Sequence, residues 1–307
     1  MRPLTSRAPS GARERGGRLK LAAAPISWGV SEVPGWGIQL DPDQVLSEIV
    51  EAGLAATELG PHGFFPADPA AIRARLATHG LALVGGFVPA VLHREAERTA
   101  ELAGVEESAA LLADAGARVL VLAARTGLHG YDAPYRPGAA EWEILRGGIA
   151  RAQEIGARRG LAVAFHPHYG TVVEHGDDVL RLLETTDVAL CLDTGHLLAA
   201  GADPLAIARS AGARIALVHL KDVDAALAAR VRARELCYRE AVRAGLYRPL
   251  GQGDLELGEL LAILGAQRYG GWHVVEQDLA LEAGDDPRLP LANVRESVGF
   301  LRGLVAA

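Results

Sequence analysis

Cysteine is scarce in this chain of 307 residues. There are two, Cys191 and Cys237, too few for a disulfide framework. A reducing cytoplasm is therefore the expected setting. Long apolar runs are missing as well: none approaches the ~20 residues that a membrane-spanning helix needs. Basic charge is in deficit, with 31 Lys and Arg against 38 Asp and Glu, for a net charge of −7. A field of that sign repels nucleic acid, so no nucleic-acid partner is expected. There is no GxGxxG after the first apolar run, and Gly251-Gln252-Gly253 follows a helical stretch, so a dinucleotide-binding sheet lacks its fingerprint. No linker divides the chain and no short repeat recurs. Residues 1–18 carry Arg2, Arg7, Arg13, Arg15 and Arg18 among Pro, Gly and Ser, without the apolar stretch of a secretory signal. They are expected to be a disordered basic tail ahead of one domain over residues 19–307.

Within that domain, short apolar runs alternate with helical periodicity. Strands are predicted over residues 19–27, 55–60, 81–90, 117–124, 161–168, 188–196, 214–222 and 271–278. Helices are predicted over 41–53, 68–80, 94–116, 138–160, 176–186, 203–212, 255–267 and 287–304. Several open on Asp-Pro and close on Gly, a start-and-stop signature. Strand–helix alternation indicates a parallel sheet. Eight such units with right-handed crossovers favour a closed (β/α)₈ TIM barrel over an open sheet. The longest connection, residues 223–254, contains a predicted helix over 224–244 and is placed as a lid.

Three of the apolar runs end abruptly in a polar residue: VALCLD at Asp193, IALVH at His219 and WHVVE at Glu276. The C-terminal ends of barrel strands converge on one mouth. A carboxylate, an imidazole and a second carboxylate brought together there make a divalent-metal site. The bland alternatives are a helix-capping Asp193, a hydrogen-bonded core His219 and a solvated Glu276. The fifth strand, ending FHPH, offers His166 and His168 on one face, because side chains alternate along a strand. His166 is the expected fourth ligand, with Glu174 just beyond as a further candidate. His168 then points at substrate and can carry a proton, since imidazole titrates near neutral pH. Lys221 shares the face of His219 and can protonate a leaving hydroxyl or neutralise an enolate; its bland role is a salt bridge with Asp222 or Asp278. His168, Lys221 and Glu174 are the candidates for acid–base work. Trp28, Glu58 and His62 at the first two strand ends, with His196 of the DTGH string, are assigned to substrate contact. A mixed imidazole and carboxylate set suits Mn²⁺ or Co²⁺, with Mg²⁺ and Zn²⁺ as alternatives.

These strings resemble the xylose-isomerase-like barrel superfamily of sugar isomerases and epimerases. DTGH and HLKD carry the likeness to the superfamily. FHPHYGT, PLGQGDLE and VVEQD, with TELGPHGFFP near the N-terminus, resemble its inosose dehydratase branch. The resemblance spans about residues 20–303. It implies a metal-dependent hydro-lyase acting on a keto-sugar or polyol, with Mn²⁺ or Co²⁺ as cofactor and a homo-oligomer as an option. One departure stands out: superfamily epimerases place a glutamate at the end of the fifth strand, where this chain has His166. A keto-sugar epimerase or isomerase is the alternative activity, and a non-catalytic sugar-binding barrel a remoter one. The superfamily's multi-zinc DNA-repair nuclease needs more His and Glu ligands than can be placed here.

Overall fold

A computed structural model describes residues 19–306; the expected basic tail lies outside them. The eight barrel strands are β1 (Lys20–Ala23), β2 (Ala56–Thr57), β3 (Ala82–Leu83 continuing as Gly85–Ala90), β4 (Val119–Ala124), β5 (Ala162–Phe165), β6 (Ala189–Asp193), β7 (Ile215–Leu220) and β8 (Trp272–Val275). Neighbours pair in parallel around the ring, and β8 returns to β1 through Lys20↔Trp272 to Ala23↔Val275. The break in β3 at Val84 closes the barrel. The Val84 N–H donates to Thr57 O (2.9 Å) on one side, and its carbonyl accepts from Arg118 and Val119 on the other. The TIM barrel expected from the alternation is the one observed.

Around the strands run α1 (Pro42–Glu51), α2 (Pro69–Thr78), α3 (Glu95–Ala115), α4 (Ala139–Arg158), α5 (Gly176–Thr185), α6 (Thr194–Ala199), α7 (Pro204–Ala211), α8 (Ala225–Arg232), α9 (Tyr238–Arg243), α10 (Leu257–Ala266) and α11 (Leu289–Ala306). α1, α2 and α7 each open on an Asp-Pro pair. The Asp accepts hydrogen bonds from the first-turn amides, and the proline takes a position where no amide hydrogen is required. The outer face of the strands and the inner face of the helices share one large apolar core, which includes Leu46, Ile49, Leu112, Leu145, Ile149 and Leu192. Each fully buried aliphatic side chain of this kind stabilises the fold by roughly 1.5–3 kcal/mol.

Two predicted elements divide differently. The strand expected over 188–196 stops at Asp193, where Thr194–Ala199 turns into α6. The side chain of Asp193 caps that helix through Oδ1, which accepts from the His196 N–H at 2.8 Å. The single helix expected over 224–244 is two, α8 and α9, broken around Arg234, whose φ is +61°. After α9, Tyr247–Arg248 pairs antiparallel with Asp222–Val223. Asp222 then fastens the returning loop, accepting from the backbone amides of Gly251, Gly253 and Leu255.

Candidate active site

The inside of the barrel is built in layers, as alternation requires. Its floor is small and apolar: Ala22, Ala56, Val121, Ala164, Cys191, Leu217 and Val274. Two residues further along four of these strands, the same inward parity delivers His166, Asp193, His219 and Glu276. Glu58 follows Ala56 by the same step on β2. The next step beyond His166, His219 and Glu276 gives His168, Lys221 and Asp278. All of these polar side chains are buried. The register fixes their neighbours: Asp193 pairs with His219, and His219 with Val274.

Asp193 Oδ2 is the hub. It lies 3.2 Å from His166 Nε2, 3.5 Å from His219 Nδ1 and 2.7 Å from Lys221 Nζ. His219 Nδ1 is also 3.2 Å from Glu276 Oε2, and its Nε2 is 3.2 Å from Glu58 Oε1. Lys221 bonds Glu276 Oε2 as well, and approaches His196 Nε2 at 3.4 Å and Asp278 Oδ1 at 3.5 Å. Close packing makes this possible: a Cβ at Gly195 would lie 2.4 Å from Lys221 Cβ and 2.8 Å from the Tyr247 ring. The glycine of DTGH is therefore the space in which Lys221 sits.

The electrostatics follow from three buried carboxylates, Asp193, Glu276 and Asp278, gathered around one ammonium, with a fourth, Glu58, set against His219. Burial opposes charge on Lys221, yet Asp193, Asp278 and Glu276 hold its pKa well above the usual value. Burial likewise opposes the Glu276 carboxylate, but His219 and Lys221 bring its pKa down to about 2. Asp278 goes the other way: burial lifts it to about 6 against the pull of Lys221, with Glu276 and Asp193 adding repulsion. His168, expected from the sequence to titrate near neutral pH, does not: burial and the neighbouring His166 push its pKa down to about 3 and hold it neutral. Its Nδ1 lies 2.7 Å from the Tyr169 carbonyl, which can only accept. Nδ1 therefore carries the hydrogen, and Nε2 is left as an acceptor.

The donor set fits a divalent ion. The Nδ1 of His166 is buried without a hydrogen-bond partner, and that of His219 faces the Glu276 and Asp193 carboxylates without hydrogen-bond geometry to either. Ligating atoms of Glu58, His219 and Glu276 lie within 4.8 Å of one another, as do those of His166, Asp193 and His196. An excess of buried negative charge is costly unless a cation offsets it.

The polar layer floors a cavity of about 450 Å³ that opens at the strands' C-terminal ends. Of the predicted site residues, Glu58, His62, His166, His168, His196, His219, Lys221 and Glu276 line it, His62 from its exposed rim. Asp193 lies beneath them, fully buried. Two predicted residues are elsewhere. Trp28 does not wall the cavity: it is fully buried in the outer core, and its Nε1 donates to Glu48 Oε2 at 2.8 Å. Glu174 lines a neighbouring cavity with Tyr135, Tyr169 and His175. The aromatic wall is instead Trp36, Tyr131 and Tyr238, none of which the sequence pattern singles out. Asp278 reads from sequence only as a salt-bridge partner, although its two-residue spacing from Glu276 is in plain view.

The barrel and its mouth define a class. The chain belongs to the xylose isomerase-like TIM barrel family, whose pattern matches residues 46–304. Among its relatives, the inosose dehydratase of Geobacillus kaustophilus is 34% identical over 271 residues, which is 85% of this chain and 87% of the relative. Among solved structures, an L-ribulose 3-epimerase superposes with a TM-score of 0.69 at 16% identity, covering 94% of this chain and 95% of that one. A structure described as the IOLI protein with a binding zinc atom superposes at 0.66 with 14% identity, covering 94% and 98%. Among the described residues, no helix is long and apolar enough to cross a membrane.

Proposed function

We propose that this chain is a divalent-metal-dependent hydro-lyase of the inosose dehydratase type, which removes water from 2-keto-myo-inositol to give a trihydroxycyclohexane-dione. The observation that carries the reading is the buried lysine. An epimerase needs only to take and return a proton, whereas elimination must also stabilise a departing hydroxide. Lys221 puts a fixed ammonium beside the carboxylates at the floor of the cavity. The 34% identity over 85% of the chain to an inosose dehydratase supports the same reaction.

His166, Asp193, His219 and Glu276 would hold the metal, with Glu58 orienting His219 from behind. Mn²⁺ or Co²⁺ is the ion we assign, on the mixed imidazole and carboxylate donors. Bound there, the ion supplies Lewis acidity toward the ketone oxygen of the substrate. His168 presents a neutral Nε2 to the cavity and accepts the α-hydrogen as a proton. Lys221 gives a proton to the β-hydroxyl, whose C–O bond breaks as the ring double bond forms. Water leaves, and the enol product rearranges to the ketone of the dione. Trp36, Tyr131 and Tyr238 wall the cavity and give the ring's apolar face a surface to lie on. The two thiols, one buried and one exposed and both free, suit a reducing cytoplasm.

The test is to strip the protein with a chelator, reload it with Mn²⁺ or Co²⁺, and follow the dione by absorbance from 2-keto-myo-inositol. The reading expects no product when stripped and product when reloaded. Full activity in exhaustively metal-free protein would refute the metal's role.

A further inference from the structure

One carboxylate in the mouth has no task in this reaction. Asp278 is 5% exposed and lines the cavity. Its Oδ2 accepts from the Tyr238 hydroxyl at 3.0 Å. Its Oδ1 has no hydrogen-bond partner, with Lys221 Nζ standing off at 3.5 Å. A buried carboxylate oxygen without a donor is rare in native structures and costly when left so. Tyr238 belongs to α9, in the lid segment, and is itself tied in. Its hydroxyl is 2.9 Å from that of Tyr247, which is 3.2 Å from His196 Nδ1, and His196 Nε2 faces Lys221. A closed chain of polar contacts thus runs from the lid to the lysine and back through Asp278. The lid is seated independently by the Tyr238 N–H donating to Asp132 Oδ1 at 2.7 Å and by the Tyr238 ring stacked on Tyr169 at 4.9 Å.

We propose that Asp278 is a substrate-binding residue whose free Oδ1 accepts a hydrogen bond from a ring hydroxyl of the polyol, and that Tyr238 is the positioning residue that aims it. The proposal rests on the polyol reading of the site. It assigns to one carboxylate the selection of a hydroxylated ring over a deoxy one. A site built to bond a hydroxyl rejects the analogue that lacks it far more strongly than an apolar pocket rejects a methylene.

The experiment is steady-state kinetics on metal-loaded enzyme with 2-keto-myo-inositol and with its ring-deoxy analogues, and metal content measured in parallel. Asp278→Asn is nearly isosteric, and its amide oxygen can still accept from Tyr238, but a donor then replaces the unpartnered acceptor at the Oδ1 position. Loss of one hydrogen bond to a charged group corresponds to about 10- to 100-fold in KM, with metal content unchanged and kcat altered less. Tyr238→Phe, which keeps the stacking on Tyr169 and the backbone bond to Asp132, should raise KM by about 3- to 10-fold. In wild-type enzyme one deoxy position should carry a similar penalty, and that penalty should vanish in Asp278→Asn, because both changes remove the same bond. Wild-type KM in either variant, or the full deoxy penalty surviving in Asp278→Asn, overturns the proposal while leaving the dehydratase reading intact. If wild-type enzyme neither binds nor converts the ketone, the reading of function fails and takes this proposal with it.

Discussion

Replacing Lys221 with Met keeps the stem's bulk and removes the ammonium, and the contacts of that ammonium set the size of the effect. Lys221 is 1% exposed, and its Nζ bonds both Asp193 Oδ2 and Glu276 Oε2, with Asp278 close by. Removing one partner of a buried ion pair costs about 3–5 kcal/mol, because the remaining charge is left buried and uncompensated. Here more than one carboxylate loses its cation, so metal-free Lys221→Met should be destabilised by at least that range. Bound Mn²⁺ should recover part of the loss, since a ligand that binds only the folded state stabilises it. Catalysis should suffer separately. Loss of a positioned acid lowers kcat by about 10²- to 10⁴-fold. Exchange of the substrate's α-hydrogen with solvent deuterium should continue, because that step belongs to His168. The assays are thermal unfolding with and without metal, product absorbance, and NMR-detected exchange in D₂O. Exchange and elimination falling together by the same factor would refute the division of labour between His168 and Lys221.

Trp28→Phe leaves the buried Glu48 without its indole donor and should cost about 1–3 kcal/mol of stability while leaving kcat and KM unchanged; a large rise in KM would return Trp28 to the site. Gly195→Ala drives a methyl into Lys221 and Tyr247, so kcat should fall at least ~10-fold and stability by about 1–3 kcal/mol, as overpacking predicts. Glu174→Gln should leave kcat within about twofold of wild type, since Glu174 faces a separate cavity. His273, buried on the outer face of β8, has its pKa lowered to about 4 by burial. The unfolded chain binds that proton from about pH 6.5 downward, so stability should decline as pH falls from about 6.5 to about 4, by up to about 3 kcal/mol. His273→Phe should lessen that slope in urea titrations by the His273 share, the other buried histidines such as His168 keeping theirs; an unchanged slope would assign all of it to those other groups.

The alternation of apolar runs with capped amphipathic stretches makes the barrel legible, because each strand is buried on both faces and each helix on one. The polar layer is legible for a related reason. Asp193, His219 and Glu276 each end an apolar run, and a charge placed directly after a buried strand has few places to go but the mouth. The residues that escape sequence reasoning are those set by tertiary contact. Trp28 and Trp36 lie in the same β1 connection. Only the turn at Pro25–Trp28 sends the first outward onto Glu48, while the second reaches the cavity and donates to Leu279 O at 2.6 Å. Tyr238 and Tyr247 sit in the long connection 223–254, where no period-2 or period-3.6 pattern marks an inward face. Glu174 follows FHPH closely in sequence, but its side chain lines the neighbouring cavity beside Tyr169. The double duty of Asp193, one oxygen capping α6 and the other at the site, joins two roles that look like alternatives in the sequence.

Whether this mouth expels water from a ketocyclitol, or merely moves its proton, is decided by proton NMR of the Mn²⁺-loaded wild-type protein with 2-keto-myo-inositol in D₂O. The dione should accumulate, with one C–O bond lost per turnover and all product formation abolished by a chelator. Exchange or inversion at the α-carbon with every hydroxyl retained would contradict the dehydratase and assign the site to an epimerase.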